Sequence, residues 1–173
     1  NMDAIERWSK ELRTFRINAS VDGIGESFEK IRWPAKWSKF ERNAKRIYDI
    51  IGGDINFFYT IQAENVTSIL PFVKWRDEVT PKSKIVFTTV YHNDELTCKG
   101  LTEEERDLFL SQKDELLSLL TNDPSLSVWE NREYNDILSI FNIVENMTVD
   151  PELVEKRKKF DADVNTMRDK HRE

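Results

Sequence analysis

A single cysteine, Cys98, rules out any internal disulfide. A chain without that staple suits a reducing compartment, so the expected location is intracellular, nucleus or cytoplasm. Glycine is scarce too, at five in 173 residues. Gly52-Gly53-Asp54 lacks both the Gly-Lys-Ser/Thr ending of a phosphate loop and the spacing of a dinucleotide fingerprint, which disfavours a nucleotide-binding fold. The two histidines, His92 and His171, have no Cys or His neighbour at zinc-ligand spacing. No apolar run approaches the roughly 20 residues of a membrane span. Asn1-Met2 is followed by no signal-peptide pattern. The expectation is a soluble protein without cofactor, metal or membrane partner, acting by binding and not by catalysis.

The one constellation with nucleophile chemistry is Cys98, six residues after His92. A Cys-His pair would make a hydrolase or transferase. A lone cysteine beside a strand reads more simply as a small buried hydrophobe. Three sequons, at Asn18, Asn65 and Asn146, are no more than this content of Asn, Ser and Thr produces by chance.

Charge and aromatic rings are plentiful. The net charge is −6, yet residues 29–48 carry seven basic groups against Glu29 and Glu41. These are Lys30, Arg32, Lys36, Lys39, Arg42, Lys45 and Arg46, interleaved with Trp33, Trp37, Phe40 and Tyr48. Such a stretch can grip phosphates while its rings stack on a partner. It can equally be an amphipathic helix with rings inward and charges outward.

The local pattern divides the chain at 1–24, 25–99 and 100–173. Ile5, Trp8, Leu12 and Phe15 mark one helical face, and a turn-rich linker with Gly23 and Gly25 follows. Trp37, Phe40, Ala44, Ile47 and Ile51 fit a helix stopped by Gly52, whereas "RIYDIIGGDINFFYTI" also fits a hairpin. Ile85 to Tyr91 is the best strand, with a turn at His92-Asn93-Asp94. Thr102 and Glu105 form a capping box. Asp123-Pro124 and Asp150-Pro151 predict two further helix starts. The first of these turns Leu126, Trp129, Ile137, Phe141 and Val144 inward, and Ile137, Phe141, Val144 and Thr148 then face Leu153, Arg157, Phe160, Val164, Met167 and His171 in an antiparallel helical hairpin.

The fold class expected is α+β: a small β-rich core, barrel-like in one reading, before a helix-rich C-terminal half. An all-α chain is the main alternative.

Trp33-Pro34-Ala35-Lys36 resembles the Trp-Pro-Ala core of PWWP domains, chromatin readers built on a small β-barrel followed by helices. "IYDIIGGD" and "TIQAENVTSILPF" are similar to that family's following strands, so the likeness spans residues 25–75. It implies a chromatin module meeting a histone tail and DNA through Trp33 and the nearby basic residues. Of the three aromatic positions that cage methyl-lysine in the family, only Trp33 matches; the others fall near Ile31 and Ile50 or Ile51. The rival expectation is a mostly helical adaptor or inhibitor, meeting another protein through its C-terminal hairpin or acidic face.

Overall fold

The computed structural model describes residues 2–53, 55–90, 92 and 94–170. Helix α1 (Met2–Glu11) leads into strand β1 (Ile17–Ser20), then α2 (Gly25–Ile31) and α3 (Trp37–Ile51). Strand β2 (Ile55–Ile61), α4 (Ile69–Val79) and β3 (Lys84–Thr89) follow. Two short 3-10 turns at Asp94–Leu96 and Cys98–Gly100 lead to α5 (Glu103–Ser111), α6 (Lys113–Ser118), α7 (Arg132–Asn146) and α8 (Pro151–Lys170).

The three strands form one parallel sheet in the order β1-β2-β3, with Ile17 opposite Ile55 and Asn56 opposite Lys84. Parallel neighbours need a crossover, supplied here by α2–α3 and by α4. Alternation along β2 sends Ile55, Phe57, Tyr59 and Ile61 into the core. Phe40 of α3 meets Phe57 at 6.2 Å between ring centroids. From α4, Phe72 meets Phe57 at 5.6 Å and Tyr59 at 5.4 Å. Both crossovers therefore pack on the same face of the sheet. The other face carries, row by row, Asn18, Asn56 and Lys84, then Ser20, Phe58 and Val86, then Thr60 and Thr88. Asn18, Ser20, Phe58, Lys84 and Thr88 stand exposed there.

The structure settles the choice over residues 37–51 in favour of the helix. Trp37, Phe40, Ala44, Ile47 and Ile51 share one face. Gly52 ends the helix at φ 67°, its N–H donating to the Tyr48 carbonyl at 2.9 Å. The barrel-like reading is corrected: the sheet is open and parallel, and Ile47–Ile51 belong to α3. The three strands also remove the all-α alternative. β3 appears where expected and, among the described residues, is followed by two 3-10 turns and not by a returning strand; Tyr91 and Asn93, like Asp54, lie outside the described residues.

The capping box at Thr102 and Glu105 is present in full, and Asp150 accepts from the Glu152 N–H at 2.9 Å to start α8. Asp123-Pro124 does not start a helix. Its carboxylate accepts from the Ser125 N–H and hydroxyl, at 2.9 and 2.7 Å, and this local turn competes with helix formation. The helix begins at Arg132 instead, and Trp129, expected inward, is 77% exposed. Among the described residues α7 packs chiefly on β3, α5 and α6, while α8 rests on the turns at 94–100. The seam expected between α7 and α8 is therefore divided between different neighbours; His171 lies outside the described residues. No helix among the described residues is long and apolar enough to cross a membrane.

Candidate functional site

A parallel sheet points all its strands one way, so the loops leaving their C-terminal ends gather in one place. β1 ends in Val21-Asp22-Gly23. Val21 still pairs with β2, donating to the Phe58 carbonyl at 3.0 Å. Asp22 then turns the chain at φ 49°, a conformation in which Asp is one of the few tolerated residues. Gly23 follows at φ 136°, and a Cβ there would lie 2.6 Å from the Ser27 hydroxyl and 2.9 Å from the Phe28 nitrogen. Only glycine lets the chain pass this close to α2.

Asp22 is 5% exposed. One oxygen accepts the Thr60 N–H at 2.6 Å, tying the ends of β1 and β2 together. The other is ion-paired with Nη2 of Arg32. Beside them, the Arg32 Nε and the Ser27 hydroxyl are buried and find no hydrogen-bond partner among the described residues. Buried polar groups are nearly always satisfied, so two orphans in one place mark a spot where something polar is expected to bind.

Asn65 holds the β2 side of the site. Fully buried, it donates from Nδ2 to the carbonyls of Thr60 at 2.9 Å and Asp22 at 3.3 Å. Its Oδ1 accepts the Gln62 N–H at 2.9 Å, and its own carbonyl accepts the Tyr59 hydroxyl at 2.8 Å. Burial, and then the nearby Asp22 charge, push the Tyr59 phenol well above its ordinary range, so it stays a neutral donor. A little further out, Lys30 bridges Glu64 at 2.7 Å and Asp161 of α8 at 3.1 Å. Burial works against its charge, and the two carboxylates outweigh it and raise the pKa.

The basic stretch thus splits. Lys30 and Arg32 are paired with partly buried or buried carboxylates, and Lys36 pairs with Glu29 at 2.7 Å on the surface. Lys39, Arg42, Lys45 and Arg46 stand exposed on the outer face of α3. Trp37 turns inward, stacking on Phe40 at 5.4 Å and meeting Trp75 edge-on at 5.1 Å, so its ring is core and not a contact surface. Trp33 sits in the turn between α2 and α3, 36% exposed. His92 is exposed, while the Cys98 thiol is half-buried, its pKa pushed up by that burial to about 11. A thiol so resistant to ionisation is a poor nucleophile.

Asp22 and Asn65 were the residues sequence reasoning passed over, one inside a presumed linker and one inside a discounted sequon. The only local signal was an Asp-Gly pair directly after a short alternating run. The chain matches no protein-family model, no curated protein and no solved structure.

Proposed function

We propose that this chain is a ligand-binding β/α unit, an arc of the singly wound barrel type, with its site at the C-terminal ends of the parallel strands. The observation that carries this reading is the placement of both crossovers on one face of a sheet whose strands follow chain order. Parallel sheets are normally covered on both faces. In a doubly wound fold helices do the covering, whereas in a β/α barrel the inner face is filled by side chains of the curled sheet itself. The mixed face of Asn18, Asn56, Ser20, Thr60 and Thr88, with Phe58, Val86 and Lys84 among them, suits such an inner face. In that architecture ligands are held by the loops after the strands, an argument by analogy of fold.

Arg32, Ser27 and the strand-end hydroxyls suit a small anion, a carboxylate or phosphate group, because a guanidinium held in place by Asp22 keeps further N–H donors to offer. An amide-resolved NMR titration with inorganic phosphate tests this. Shifts confined to Gly23, Ser27, Arg32 and Thr60 are expected, saturating in the millimolar range and lost in Arg32→Gln. Unmoved amides at these positions would overturn it.

A second reading rests on the outer face of α3. Four exposed cations there, Lys39, Arg42, Lys45 and Arg46, suit a polyanion such as DNA, in keeping with a chromatin-associated module. If four phosphates are contacted, log K should fall against log salt with a slope of about −3 to −4. Duplex binding that ignores salt would dismiss this face.

A further inference from the structure

Helix α8 crosses the loops that follow all three strands. It rests on the turns after β3, and Phe160 and Val164 of its second half line a cavity with Leu96 of those turns. Asp161 reaches Lys30, at the end of the helix that follows β1, and Lys30 also holds Glu64 in the loop after β2. The two halves of the helix are attached very differently. Val154 and Arg157 are buried, and Arg157 donates to Glu105 at 2.6 Å. No described residue beyond Arg157 is buried; Phe160 and Met167, the large apolar groups there, are 43% and 57% exposed. A cavity of about 220 Å³ lies where Phe160 and Val164 approach Ile31, Gln62 and Leu96. An apolar surface that stands off its neighbour gives up the dispersion contacts that would hold it.

We propose that residues 158–170 form a strap over the strand ends, latched by the Lys30–Asp161 ion pair, which swings aside while residues 151–157 stay docked. The swing controls access to the site at Asp22 and Arg32, and that role rests on the function proposed above. The strap itself rests only on how α8 is attached. Its design follows from the imbalance: a partly exposed ion pair is weak enough to open and close, and the buried Arg157, held by Glu105, is a fixed hinge post.

Hydrogen exchange of the whole chain, wild type against Asp161→Asn, reads this directly. Asp161 is on the outer half of an exposed helix, so the substitution leaves the core intact; Lys30→Met is the second variant, removing the latch from the other side. Exchange at 158–170 is expected to rise about fivefold, the measure of a partly exposed ion pair, with 151–157 unchanged. Alkylation of Cys98 by N-ethylmaleimide should keep its wild-type rate, since the turn that carries it stays covered. Unchanged exchange at 158–170 overturns the latch, and faster exchange throughout α8 with faster Cys98 alkylation overturns the hinge. If exchange responds as expected but phosphate shifts no amide at Gly23 or Thr60 in either protein, the strap stands and the ligand site falls.

Discussion

Glu133→Ala is expected to lower stability by about 2–4 kcal/mol, with a fall in Tm of roughly 8 °C. The reason lies at the opposite end of the sheet from the candidate site. Arg76 of α4 is 6% exposed, and its guanidinium donates to Glu133 at 3.0 Å and to the Ser83 carbonyl at 2.9 Å. The second Glu133 oxygen accepts the Ile85 N–H at 2.7 Å, on a strand that β2 flanks on one side only. Truncation would leave the buried Arg76 with only the half-exposed Asp77, at 2.6 Å, and the Ser83 carbonyl, and would strip the Ile85 N–H of its acceptor; losing a partner of a buried pair is more damaging than the pair is beneficial. Glu133→Gln keeps the shape but only one acceptor, so its NH2 must face either the Ile85 N–H or the Arg76 guanidinium, and it should lose nearly as much as alanine. Urea denaturation of the two variants provides the comparison. An Ala variant within about 1 kcal/mol of wild type would show that water replaces the carboxylate at no loss.

At the other end, Asn65→Ala is expected to destabilise by about 2–4 kcal/mol, because one N–H and two carbonyls lose their partners in a closed environment. Asn65→Asp should be worse than alanine, despite its nearly identical shape. It would set a carboxylate oxygen against the carbonyls of Thr60 and Asp22, where two N–H donors now sit. That inverted ranking is the signature to look for in urea midpoints. If Asp proves milder than Ala, the side-chain amide is not oriented as described. Either variant should also loosen the Asp22 turn, since Asn65 is one of the groups that fix it.

What could be read from the sequence was local. The apolar face of α3, its stop at Gly52, the capping box of α5 and the strand at Ile85 all depend on residues within a few positions of each other. The site depends on partners far apart: Asp22 is 38 residues from Thr60 and 43 from Asn65. Nothing in a single sequence marks such pairs. The basic stretch misled for a related reason. Its charges form one cluster along the chain, but α2 and α3 send Arg32 inward to Asp22 and Arg42 outward to solvent. The Asp123-Pro124 signal was real chemistry put to another use, since the same carboxylate that could cap a helix closes a turn. The parallel pairing was invisible because alternation reveals which face of a strand is buried and not which way its neighbour runs.

The strand order has a consequence for how the molecule is made. Because β1, β2 and β3 lie side by side in the order of synthesis, no strand has to be threaded between two that have already paired. β2 can settle against β1 as soon as α3 has emerged, and β3 then adds to a ready edge. Domains that can be laid down in this way leave few sticky edges waiting on the ribosome. The topology that creates the site also suits the chain to fold as it is made.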